Sequence, residues 1–159
     1  MVFVSVAHRR PLDFGFLVDS APDISDQEWQ QILSYMHNVI DRLQEISSAP
    51  YGTRVGIVSY ASVPYLHFDF NFLWGPNINK DRLRGLVNSI PRQRGSDRRI
   101  DSAVDFARTH LFSSKGGVRP GSQRVCYSSR PLVIQAVFLS CNFLVLDRAL
   151  RMTNAFFQY

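Results

Sequence analysis

Apolar residues occur along this chain in short blocks, and their spacing switches between two periods. Leu12 to Val18, LDFGFLV, is almost continuously apolar and stops at Asp19, the pattern of a strand buried on both faces, as in parallel sheets. Ser25 and Glu28 follow in S-x-x-E spacing, a capping box in which each side chain satisfies a backbone N–H at a helix start. Trp29, Ile32, Leu33, Met36, Ile40 and Leu43 then recur at three- and four-residue steps, with Asp26, Gln30, Asn38 and Asp41 between them. That spacing predicts an amphipathic helix whose apolar stripe lies on a sheet. SSAPYG reads as a loop and TRVGIVSYA, Thr53 to Ala61, as a second buried strand. Strand, helix and strand in that order form a βαβ unit, for which a right-handed crossover is nearly obligatory.

After Ala61 the pattern changes. In YLHFDF, Leu66, Phe68 and Phe70 alternate with Tyr65, His67 and Asp69, and Pro64 precedes them. This predicts an antiparallel edge strand with one wet face. NINKDRLRGLVNSI spaces Leu83, Leu86, Val87 and Ile90 helically ahead of Pro91, which stops the helix. IDSAVDFARTHLF sets Ile100, Ala103, Val104, Ala107 and Leu111 on another helical face, and the glycines and proline of KGGVRPG end it. The run LVIQAVFLSCNFLVL, Leu132 to Leu146, fits helix and buried strand equally. Its fifteen residues, with Gln135, Ser140 and Asn142 among them, fall short of the ~20 apolar residues needed to cross a bilayer, so no membrane span is expected.

At 159 residues and 45% hydrophobic content, the chain suits one domain with a continuous core. The net charge of +5 comes almost wholly from arginine, since Lys80 and Lys115 are the only lysines, and it favours anionic partners. PRQRGSDRR gathers Arg92, Arg94, Arg98 and Arg99. Guanidinium groups pair bidentately with anionic oxygens, so these four are a candidate site for sulfated glycosaminoglycan. A solvated loop balanced by Asp97 and Asp101 is the simpler reading and the favoured one. No aromatic residues interleave with the arginines, which argues against nucleic acid.

Cys126 and Cys141 are the only cysteines, too few for a disulfide framework or a four-cysteine zinc site. His8, His37, His67 and His110 have no paired ligand spacing, and the chain has no G-x-S-x-G elbow and no phosphate loop. No enzymatic reading is supported. The N-terminal MVFVSVAHRR has its charges on the wrong side of its apolar residues for a secretory signal.

Taken in order, LDFGFLVDSAPDIS, the capped helix, TRVGIVSYAS, the aromatic edge strand, RGSDRRIDSAVDFARTHLF and GGVRPGSQRV resemble a von Willebrand factor type A domain, in particular those of type VI collagen α chains and matrilins. The resemblance covers Leu12 to Val125, with residues 1–11 as an N-terminal extension and 126–159 as a divergent apolar tail. It implies an α/β fold: an open, mostly parallel sheet with one antiparallel edge strand and helices on both faces. It further implies a noncatalytic adhesion or matrix-assembly module, located in the extracellular matrix, with matrix proteins such as collagens as partners. A complete family member would continue with a fourth parallel strand and more. The divergence after Val125 therefore implies a truncated or alternatively spliced product whose sheet is incomplete at the C-terminal side. The first strand would then lose its natural neighbour on one side; the tail's apolar run could substitute by pairing there or lie as a helix on the uncovered face, and partial stability at best is expected.

Many members of this family carry a metal-ion-dependent adhesion site at the carboxyl end of the sheet, where ligands of open α/β sheets bind. Its motif is D-x-S-x-S after the first strand, a threonine in a later loop and an aspartate after the fourth strand. Here Asp19 matches the first position, Ala21 replaces the first serine, Asp23 replaces the second, and Ile100 stands where the threonine belongs. Magnesium demands near-octahedral oxygen coordination, so weak magnesium binding at most is expected. Asp19 then reads as a carboxylate at a strand end, facing the N–H groups at the start of the following helix.

Overall fold

β1 (Leu12–Asp19) is the middle strand of a five-stranded sheet whose order is β3-β2-β1-β4-β5. The structure is a computed structural model and describes residues 10–43, 45–47, 49–72, 78–95 and 97–129, with the backbone of 144–146. β1 leads into α1 (Asp26–Arg42) and returns as β2 (Thr53–Tyr60), which pairs with it in parallel from Leu12↔Thr53 to Asp19↔Tyr60. The capping box is formed: Ser25 Oγ accepts from Glu28 N at 3.2 Å, and the Glu28 carboxylate accepts from Ser25 N at 2.9 Å. The stripe on α1 is buried, from Trp29 to Ile40 with Leu43 beyond it.

The sheet separates two apolar layers. Phe14, Phe16 and Val18 of β1, with Val55 and Ile57 of β2, pack under α1 and α2 (Lys80–Asn88), which contributes Leu83 and Val87. On the other face Leu17, Val58 and Tyr60 meet α3 (Ile100–Phe106) and the π-helical turn Ala107–Leu111 that continues it. Gly15 and Gly56, register partners on β1 and β2, let that turn approach the sheet. A Cβ on Gly15 would meet the Phe112 ring at 2.7 Å, and one on Gly56 would meet Leu111 Cδ1 at 2.4 Å, so the strand glycines mark a close approach.

The structure overturns two expectations. β4 (Gln123–Ser128) pairs in parallel with β1 from Leu12↔Gln123 to Leu17↔Ser128, so β1 has a hydrogen-bonded neighbour on each side. Arg124 and Val125 lie inside this strand, and its apolar side chains join both layers: Tyr127 stacks on Tyr35 at 5.0 Å, while Cys126 faces α3. β5 (Leu144–Leu146), the end of the late apolar run, pairs in parallel with β4; Leu132–Phe143 lie outside the described residues.

The second correction concerns β3 (Pro64–Phe68), the antiparallel edge strand. Val58 pairs with Leu66 and Ile57 with Phe68, which leaves His67 as an extra residue in a bulge. One inserted residue reverses the faces of a strand from that point on. Phe68 therefore packs with the α1 layer while Leu66 and Phe70 pack with the α3 layer, and the strict alternation expected for Leu66, Phe68 and Phe70 does not hold.

At the N-terminal end of β1, Asp13 is fully buried and enclosed by donors. Arg119 Nη2 and Nε reach Asp13 Oδ1 at 2.6 and 2.9 Å, while Arg119 N and Ser122 Oγ donate to Oδ2 at 2.9 and 2.6 Å. This clamp ties the loop before β4 to β1. Breaking a buried pair by removing one partner leaves an uncompensated charge and costs about 3–5 kcal/mol. Arg119→Met is expected to lower the urea midpoint of unfolding by a corresponding amount, and Asp13→Asn combined with it to recover part of the loss.

Candidate functional site

The carboxyl ends of β1 and β2, the residue after β4 and the loop 91–99 converge. The loop is anchored by Gln93 N donating to Ser20 O at 2.9 Å and Arg99 N donating to Ala61 O at 3.0 Å. Ser129, one residue past β4, accepts from Asp19 N through its Oγ at 2.9 Å. Asp19 itself is fully buried, and its Oδ1 accepts from Ala21 N at 3.1 Å. The carboxylate thus closes the turn after β1; the start of α1 is capped by Ser25 instead.

Asp19 Oδ2 faces Arg98 Nε at 3.2 Å, and Arg98 Nη2 pairs with Asp23 Oδ1 at 2.6 Å. One guanidinium therefore spans the two carboxylates at which the resemblance would look for a metal. Ser20 Oγ donates to Tyr60 O at 3.2 Å, Ala21 offers a methyl group, and Ile100 contributes an alkyl side chain packed against the α3 layer. Among the described residues no group of three or more His, Cys, Asp or Glu could hold a metal ion. Of the motif positions, 21 and 100 supply no side-chain oxygen to the octahedral shell that magnesium prefers.

The remaining arginines of the loop do not form a common anion cradle. Arg92 Nη2 pairs with Asp26 at 2.6 Å, its Nη1 donates to Ile24 O at 3.1 Å, and its guanidinium lies 5.8 Å from the Trp29 ring centre. Arg99 pairs with Asp101 at 3.2 Å. Arg94 is exposed. Three of the four positive charges are thus matched by neighbouring carboxylates.

These partners are far apart in sequence, and for that reason the pairing of Arg98 with Asp19 and Asp23 escaped the sequence reading, as did Ser129 and Gln93. Of the histidines, His8 lies outside the described residues, and His110 stacks on Phe106 at 4.1 Å. His37 is part-buried on α1, its Nε2 without a hydrogen-bond partner among the described residues.

The chain belongs to the von Willebrand factor type A domain family. The family model, described as von Willebrand factor type A domain, matches residues 13–127. Human matrilin-1 is 30% identical over 118 residues, which cover 74% of this chain and 22% of that protein. Human matrilin-3 is 27% identical over 121 residues, 76% of this chain and 23% of it, and mouse vitrin 25% over 114 residues, 72% and 16%. The chain thus spans less than a quarter of the length of these relatives. Proximal thread matrix protein 1 from the mussel byssus, in a structure with a zinc-occupied MIDAS motif, superposes with a TM-score of 0.66. At 15% identity, over 87% of this chain and 35% of that one, the likeness is one of fold.

Beside the sheet end of this A domain, His67 Nε2 lies 2.7 Å from Ser59 Oγ, which accepts from Gln93 Nε2 at 2.6 Å. The pair resembles a nucleophile and base, but Ser59 is fully buried. Burial lowers the His67 pKa below the ordinary 6.5. The fold favours the uncharged ring, so this contribution to stability is present above the unfolded value and is lost as pH falls below it. Melting temperature between about pH 7.5 and about pH 5 should fall more steeply in the native chain than in His67→Gln.

Proposed function

We propose that this chain is a noncatalytic protein-binding module of the extracellular matrix or adhesion type, and that its sheet-end site is a degenerate metal-ion-dependent adhesion site working without a bound ion. Family membership supports the binding role, because matrilins and vitrin carry domains of the same family. The observation that carries the metal-free part is the Arg98 guanidinium spanning Asp19 and Asp23. The family relatives, matrilins and vitrin, and the burial of Ser59 support a noncatalytic role.

The partners in this reading are matrix proteins such as collagens, and the setting is extracellular. Among the described residues no helix is long and apolar enough to cross a membrane. A heparin-type ligand held by Arg92, Arg94, Arg98 and Arg99 has less support, because carboxylates already oppose three of those charges.

The test is surface plasmon resonance of the full chain over immobilised collagens and other matrix proteins, in magnesium and in EDTA. Saturable binding with the same Kd in both buffers is the expected outcome. Binding that disappears in EDTA would overturn the metal-free part, and no binding to any matrix protein would overturn the partner class. Salt-dependent retention on heparin that is abolished when the four arginines become alanine would move the reading to glycosaminoglycan.

A further inference from the structure

A carboxylate with no exposed surface is costly unless it is hydrogen-bonded and opposed by a positive charge. The Asp19 side chain is 0% exposed, while Arg98 is 29% exposed and Asp23 60%. The three therefore form a column from the sheet interior to the surface, with the guanidinium between its two acids. Arg98 is delivered there by backbone. Gln93 and Arg99, on either side of it in the loop, are hydrogen-bonded to Ser20 and Ala61 at the ends of β1 and β2. Gly95 adopts φ 118°, a left-handed conformation suited to glycine, and a Cβ there would meet Ser62 Oγ at 2.2 Å. The loop is held against the strand ends, and much of the entropy cost of fixing a long arginine side chain falls on the folding of the domain.

We propose that Arg98 is a built-in cation: its guanidinium occupies the position at which a divalent ion would compensate Asp19 and Asp23, and it excludes that ion. Arginine is permanently protonated and presents its donors in a planar fork. A tethered guanidinium therefore keeps the site charge-compensated at any divalent concentration and across the pH range in which the domain is folded. A diffusible ion would be lost to chelators. This inference deepens the metal-free reading of the site and rests on it, but it does not depend on the matrix partner, so absence of collagen binding leaves it intact.

The experiment is a thermal melt of the full chain and its variants in EDTA and in millimolar manganese. The native chain is expected to melt at the same temperature in both. Arg98→Ala removes the guanidinium from both carboxylates. It should melt lower than the native chain in EDTA and recover about 3 °C or more in saturating manganese. Asp19→Asn combined with Arg98→Ala should show no manganese response, and should melt above Arg98→Ala alone because the buried charge at position 19 is removed along with its guanidinium.

A saturable rise in the native melting temperature with manganese would overturn the proposal, since the ion would then bind with Arg98 in place. Equal melting temperatures for Arg98→Ala and the native chain would also overturn it. A loss in Arg98→Ala that manganese does not restore would reduce the contact to an ordinary ion pair and reject the stand-in role. Should Arg98→Ala fail to fold in EDTA, refolding yield in manganese against EDTA gives the same readout.

Discussion

β1 carries a buried aspartate at each end, and the domain is arranged around opposing those two charges. Asp13, at the amino end, is enclosed by Arg119 and Ser122 from the loop that precedes β4. Asp19, at the carboxyl end, faces Arg98 from the loop that precedes α3. Neither charge could stay buried without such a partner. The two loops that look least structured in sequence are therefore the ones most firmly bound to the central strand.

Between these ends the interior of β1 is neutral and close-packed. Gly15 and Gly56 lie side by side and admit Leu111 and Phe112 against the sheet. A π-helical turn, Ala107–Leu111, delivers those side chains, its wider turn changing the register of the helix end. The burial that favours folding is thus strongest midway along the strand, and the polar chemistry is displaced to its rims. Cys126 belongs to the neutral part. Burial pushes its thiol up to about 12, which keeps it protonated and removes it from redox or nucleophilic chemistry.

Much of this was legible in the residues. The buried strands, the S-x-x-E cap, the stripe on α1 and the edge position of β3 follow from local spacing, because period and capping are properties of contiguous residues. The reading failed where one residue changes a register or where partners are distant. His67 bulges and reverses Phe68, which the alternating letters of YLHFDF conceal. β4 straddles Val125, where the resemblance in the letters ends, and pairs with β1 from Leu12↔Gln123 to Leu17↔Ser128. The family model itself extends through Tyr127, and QRVCYS supplies the hydrogen-bonding backbone and buried face that the strand needs.

The candidate site divides in the same way. Sequence alone determined that Asp19 stands at a strand end, that Ala21 and Ile100 carry no ligating oxygen, and that Asp23 and four arginines lie nearby in the chain. It also determined the α/β class, since strand and helix periods alternate. Only the tertiary structure decided which arginine meets which carboxylate. Arg92, Arg98 and Arg99 look alike in PRQRGSDRR, yet each meets a different acid, and one of them spans Asp19 and Asp23. The reason is geometric: ion pairing depends on distance in space, and the distance between residues 19 and 98 is set by the sheet and the bound loop.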